Sequence, residues 1–140
     1  PHRGIDYAAP RGTPILAAGD GRIQKASRNS ANGNYIIISH GQQFVTKYLH
    51  LLKFGRGIKT GKKVTQGQII GYVGSTGLAT GPHLHYEFLV NGVHKNPRTV
   101  ALPKAQSVAK RELPLFAQAT RQHSLLLKAF QQQVVSMAAQ

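Results

Sequence analysis

Seven histidines share this 140-residue chain with only four acidic side chains, which makes metal or proton-transfer chemistry the first thing to test. The closest pair is His83-Leu84-His85. On a strand, period-two alternation sends both imidazoles to one face, with α-carbons roughly 6.6 Å apart, two rises of about 3.3 Å. A zinc ion that took His85 as a ligand at about 2.0–2.1 Å would leave His83 within reach of a water or substrate oxygen beside it. Glu87 continues the same face, where a carboxylate can accept a hydrogen bond from a ligand imidazole and orient it from behind. His-x-His alone is a weak signal, because two polar residues on a solvated strand face show the same pattern.

Two further segments carry candidate groups. His2-Arg3-Gly4-Ile5-Asp6 supplies an imidazole and a carboxylate four positions apart. Gly4 and Pro10 argue against a helix there, so the pair belongs on an extended or turning segment. In Phe44-Val45-Thr46-Lys47-Tyr48-Leu49-His50, alternation places Phe44, Thr46, Tyr48 and His50 on one face, with His50 ending the strand near a rim. His40, in a strand-end Ser-His-Gly context, His94, after a hairpin turn, and His123, on a tail helix, are read as structural. The chain has no cysteine, so a metal would have to be held by His and carboxylate ligands.

The elements that must position these groups are mostly strands. From Ile15 to about Val93, short β-branched or aromatic runs alternate with glycine punctuation, as in an antiparallel β domain. Strands are expected over Ile15–Ala18, Arg22–Ala26, Asn34–His40, Phe44–Leu51, Gln68–Val73 and Leu84–Val90. Asn91-Gly92 favours a tight hairpin turn, since both residues tolerate positive φ. The run from Gly74 to Pro82 is too glycine-rich for a strand and leads into His83 as a loop. Near Pro97 the composition changes, and from Pro103 glycine disappears. Residues 101–140 are therefore expected to form a helical extension, with Leu115, Ala119, Leu126, Phe130, Val134 and Met137 on one face against another part of a longer protein or a partner.

Taken together, His2-x-Gly4-x-Asp6, Pro10-x-Gly12-x-Pro14, Thr46-x-Tyr48-x-His50-Leu51, Gly67-Gln68-x-Ile70-Gly71-x-Val73-Gly74 and Thr80-Gly81-Pro82-His83-Leu84-His85-Tyr86-Glu87 resemble the signature of the lysostaphin-type, or LytM-like, zinc metallo-endopeptidases. The resemblance runs from His2 to about Pro97. It implies a mainly β fold: a small antiparallel β domain of the LytM-like, duplicated-hybrid type with a narrow active-site groove walled by loops. It also implies a catalytic domain over residues 1–100, here truncated at its N-terminus. The implied metal ligands are His2, Asp6 and His85, holding Zn2+, with His50 and His83 as the catalytic histidines. Tyr48, Gly77, Thr80 and Gly81 are the implied substrate-binding positions. The implied activity is hydrolysis of peptidoglycan cross-links by a metal-activated water, on peptide stems in the periplasm or cell envelope. The Tyr86-Glu87-Phe88 context and the helical tail favour members that cleave D-alanyl to diaminopimelate bonds.

The residues agree with that implication. Two imidazoles and one carboxylate leave a fourth zinc position open, as a catalytic site requires. No Glu of the His-Glu-x-x-His type is present, so histidine is the natural proton acceptor. His50 and His83 are assigned jointly to proton transfer and oxyanion stabilisation.

Charge supplies the main competing reading. Lys and Arg number 18 against 4 acids, a formal +14 that draws in polyanions. The cations are spread along the sequence, with Lys59, Lys62 and Lys63 the nearest approach to a tract. Aromatic residues interleaved with Arg for base stacking are missing, so a specific nucleic-acid module is the weaker alternative. An inactive peptidoglycan-binding regulator of the same fold is the stronger one, but it would look degenerate at the metal positions, all of which are filled here. No apolar run approaches the roughly 18 residues that span a bilayer, so no transmembrane segment is expected.

Overall fold

The structure, a computed structural model, describes residues 3–97. His2, His123 and the expected helical extension lie outside those residues. Nine strands follow in chain order: β1 (Ile5–Ala8), β2 (Pro14–Leu16), β3 (Gly21–Asn29), β4 (Gly33–His40), β5 (Phe44–Phe54), β6 (Lys63–Val64), β7 (Ile69–Val73), β8 (His83–Val90) and β9 (Val93–Lys95). They pair antiparallel in the order β1-β8-β5-β4-β3-β6, with β9 beside β8 and β7 beside both β2 and β5. Among the described residues there is no helix, and none long and apolar enough to cross a membrane.

The antiparallel β reading therefore holds, with three additions. β1, β6 and β9 are short strands not expected from local pattern, and each is completed by pairing with a longer neighbour. The Asn91-Gly92 turn has φ of 50° and 79° at its two residues, the left-handed pair that a two-residue hairpin of this twist demands.

Alternation along β8 decides which side is core. Leu84, Tyr86 and Phe88 are fully buried on one face, and His83, His85 and Glu87 stand on the other. On the core face Tyr86 meets Tyr48 of β5, with ring centroids 5.4 Å apart, above Ile36, Ile38, Leu51, Ile70 and Val73. Tyr48 is 0% exposed, so the expectation that it binds substrate is corrected: it is a core residue.

The same alternation would drive His50 into that core, on the side of Thr46 and Tyr48. It does not, because β5 carries an extra residue at this point. Tyr48 faces Ile36 and Leu51 faces Asn34, three positions against two, and His50 takes up the difference with φ of 67°. This β-bulge shifts the phase of the strand: Leu51 takes the core position at 0% exposure, and the imidazole is turned to the other face. Nor does His50 end the strand, which runs on to Phe54. His50 marks the place where the edge of β5 passes from β8, last paired at Leu49↔His85, to β7, first paired at Leu51↔Val73.

A buried polar chain ties the start of β5 to the rest. His40 Nδ1 lies 2.7 Å from the Asp20 carbonyl, which can only accept, so Nδ1 carries the proton and Nε2 accepts from Thr46 Oγ1, also at 2.7 Å. Thr46 then accepts from the Tyr48 hydroxyl at 2.9 Å, and Tyr48 accepts from the Ala18 N–H at 3.0 Å. An unpartnered buried hydroxyl costs about 1–3 kcal/mol, so the chain is what lets Tyr48 occupy the core. Burial pushes the Tyr48 hydroxyl up to about 12.

Burial also lowers the His40 pKa from its ordinary 6.5, against the opposing pull of the Asp20 carbonyl and carboxylate. The folded chain thus resists protonation that the unfolded chain accepts. Stability from this group is present above about pH 6.5 and erodes as pH falls from there toward the folded-state value. Urea unfolding at pH 7.5, 6 and 5 is expected to show this loss, and His40→Gln is expected to show a smaller one. Equal pH dependence in the two proteins would contradict it.

Candidate active site

Register brings the first candidate groups together. β1 lies against β8 with Asp6 directly opposite His85 and Ala8 opposite His83. Asp6 Oδ1 is 2.7 Å from His85 Nδ1 and 3.7 Å from His83 Nε2, so one carboxylate addresses both imidazoles. Gly4 makes the approach possible. A Cβ there would meet the Tyr86 carbonyl and come within 2.9 Å of His85 Nε2, which accounts for the glycine between His2 and Asp6.

The other nitrogen of His85 is also held. His85 Nε2 lies 3.1 Å from Glu87 Oε1, and Glu87 Oε2 receives His94 Nε2 at 2.8 Å, with the Lys47 ammonium 3.9 Å away. Burial alone would raise the Glu87 pKa, but the hydrogen bonds from His85 and His94 and the Lys47 charge outweigh it and bring the group to about 2. His85 moves the opposite way. Its hydrogen bond to Glu87 raises its pKa most, burial opposes, and Asp6 adds to the rise.

His50 and His83 face this pair from β5 and from the start of β8. Their ring centroids are 5.1 Å apart, and His50 is 6.2 Å from His85. Each gives its Nδ1 to a backbone carbonyl: His50 to Thr76 at 2.8 Å, His83 to Gly81 at 2.9 Å. A carbonyl only accepts, so in the neutral ring Nδ1 carries the proton and Nε2 is the acceptor nitrogen. Burial lowers the His50 pKa, the Thr76 carbonyl opposes, and the neighbouring His83 and His85 lower it further.

The glycine-rich loop supplies both carbonyls. It is anchored by the Thr76 hydroxyl, which donates to the Leu51 carbonyl at 2.7 Å and accepts from the Asn34 N–H at 3.0 Å, and by the Leu78 N–H on the Ala31 carbonyl at 2.9 Å. Gly77, with φ of 75°, sits so close to Gly33 that a side chain would collide with its backbone. Gly77 and Thr80 are exposed and Gly81 is half-buried, with Leu78 standing out at 79% exposure.

The candidate residues are thus gathered as follows. Asp6, His50, His83 and His85 converge on one face, with Glu87 behind His85. Tyr48 lies on the opposite face, and His2 lies outside the described residues. Thr76 and His94 were not expected to contribute; neither backbone carbonyl acceptance nor a contact across a hairpin leaves a local sequence signal.

Whether these groups suit a metal can be judged from the donors. Among the described residues no three His, Asp or Glu side chains complete a metal-binding set. Asp6 and His85 supply a carboxylate and an imidazole converging within 2.7 Å, and Glu87 accepts the Nε2 proton, which leaves Nδ1 as the nitrogen that could bind a metal. That donor pair fits zinc. An open cavity of about 690 Å³, lined among others by Asp20, Arg22, Ser39 and Lys63, has none of these histidines in its wall.

Comparison with known proteins gives a family match and several similar chains. Residues 1–97 match the description "Peptidase family M23". The peptidoglycan DD-endopeptidase ShyC of Vibrio cholerae is 56% identical over 131 residues, which is 94% of this chain and 30% of that protein. The chain therefore spans less than a third of the length of this curated relative. A zinc-containing peptidase from Vibrio cholerae superimposes with a TM-score of 0.65 at 42% identity, covering 68% of this chain and 29% of that one. The catalytic domain of lysostaphin from Staphylococcus simulans gives 0.63 at 36% identity, covering 69% and 75%.

Proposed function

The chain belongs to peptidase family M23, whose members are metallo-endopeptidases, and from that premise we propose that it hydrolyses peptide cross-links of bacterial peptidoglycan with a zinc ion held by His2, Asp6 and His85. The observation that carries this reading is the convergence of Asp6, His83 and His85 across β1 and β8 with His50 from the bulge in β5. Bound there, zinc would supply Lewis-acid polarisation of the scissile carbonyl and a nucleophilic water at neutral pH.

The remaining work falls to the chain. Asp6 and His85, with His2, would hold the ion, and Glu87 keeps the His85 ring in the tautomer and orientation that offer Nδ1. His50 and His83, each locked as an Nδ1 donor, present Nε2 to take the proton of the attacking water and return it to the leaving amine. The same two rings, once protonated, stabilise negative charge developing on the carbonyl oxygen. The lowered pKa of His50 keeps it neutral, and so able to accept, near pH 7. The loop from Gly74 to Gly81 walls the groove, with Gly77, Thr80 and Gly81 offering backbone to an extended peptide.

The DD-endopeptidase name of the ShyC relative supports a cut in a peptidoglycan D,D cross-link, and the resemblance of the Tyr86-Glu87-Phe88 context makes D-alanyl to diaminopimelate the expected bond. The reaction then takes place outside the cytoplasm, in the periplasm or cell envelope. Digestion of purified sacculi, with products identified by mass, is expected to yield uncross-linked muropeptides from dimers. Sacculi left with their dimers intact by zinc-loaded protein would contradict the proposal.

A further inference from the structure

His94 is unused by the mechanism above, yet it reaches the metal side of the sheet by a specific route. The Asn91-Gly92 turn, with both residues at positive φ, sets the β8–β9 register at Val90↔Val93 and Leu89↔His94. Leu89 stands on the same face as Glu87 and His85, so His94 arrives on that face, diagonal to Glu87 and within reach of a long side chain. A slip of one residue would turn it to the other side.

Its contact closes a line of four groups. His94 Nε2–H donates to Glu87 Oε2 at 2.8 Å, Glu87 Oε1 accepts from His85 Nε2 at 3.1 Å, and His85 Nδ1 meets Asp6 at 2.7 Å. Glu87 is buried at 9% exposure, with the Lys47 ammonium 3.9 Å from the oxygen that His94 binds. A carboxylate gripped at one oxygen only could turn about its last bond; gripped at both, it has one orientation to offer the His85 ring.

We infer that His94 is a positioning residue of the metal site: by fixing Glu87 from the β9 side it sets the orientation of His85 toward the ion. The inference rests on the reading of Asp6 and His85 as zinc ligands. Loss of a partner one shell out from a ligand typically weakens metal binding by about 10- to 100-fold.

The test is zinc affinity of the full chain, by competition with a chromophoric chelator, for wild type, His94→Leu, His94→Gln and Lys47→Met, alongside the melting temperature of each protein without metal. His94→Leu should bind zinc about 10-fold more weakly or worse. His94→Gln, which keeps an N–H for Glu87, should recover most of that loss, a recovery that a role in packing alone would not produce. Lys47→Met approaches the same carboxylate without touching the hairpin and should weaken binding in the same direction, by less. Nitrogen chemical shifts of His85 in the zinc-loaded proteins should show a changed ring environment in His94→Leu. If wild type binds zinc and His94→Leu binds it equally well, this inference fails and the site assignment stands. If wild type takes up no zinc, the site assignment fails and the inference with it.

Discussion

Replacing His50 or His83 with alanine should lower the rate of cross-link cleavage by about 10²-fold or more while zinc stays bound, the usual scale for losing an acid-base group. Neither ring is placed as a ligand. Both spend Nδ1 on backbone carbonyls, Thr76 for His50 and Gly81 for His83, so their contribution to the reaction comes from Nε2. His50 needs a control, because its φ of 67° penalises most side chains. Asparagine tolerates that conformation, so His50→Asn separates loss of the imidazole from strain in the bulge. Turnover of purified cross-linked muropeptides and zinc content, both measured on the same samples, check the prediction. Full rate in either variant would remove that histidine from the mechanism.

Asp6→Ala and His85→Ala should behave differently, losing zinc and cleavage together. Each removes one of the three proposed protein ligands, so the fall in zinc affinity should exceed the 10- to 100-fold typical of losing an outer partner. The contrast within β8 is the informative part. His83 and His85 stand two residues apart on one face, yet Asp6 lies 2.7 Å from His85 and 3.7 Å from His83. If His83→Ala sheds zinc as readily as His85→Ala, His83 is a ligand and the division of roles along the strand is mistaken.

What could be read from the sequence depended on how local its cause was. Alternation in β8 is written in consecutive residues, so the shared face of His83, His85 and Glu87 was legible, as was the hairpin at Asn91-Gly92. The side of His50 was not. A one-residue bulge reverses every later position of a strand, and nothing in Tyr48-Leu49-His50-Leu51 marks it, since the left-handed residue is neither glycine nor asparagine. Tyr48, which the resemblance implies as a substrate-binding position, is instead a core residue at 0% exposure, and the bulge turns His50 away from its face. β1 escaped notice because Asp6 and His85, its pairing partner, are 79 residues apart.

Charge gave a further instance. Arg22, Lys25 and Arg28 are distant from Lys59, Lys62 and Lys63 in sequence, and the cations looked scattered. The chain lays residues 61–64 along the start of β3, pairing Arg22 with Lys63 and placing Lys62 beside Ile23, so that Arg22, Lys62 and Lys63 are exposed at one edge. Such clustering is a property of topology, not of composition.

Cleavage of peptidoglycan cross-links is proposed to depend on a zinc ion held by His2, Asp6 and His85. The most direct test of this dependence follows zinc content and release of uncross-linked muropeptides from sacculi in one preparation, as purified, after exhaustive chelation, and after zinc is returned. Cleavage should vanish with the metal and return with it, at about one zinc per chain. Continued cleavage by protein shown to hold no metal would contradict the account.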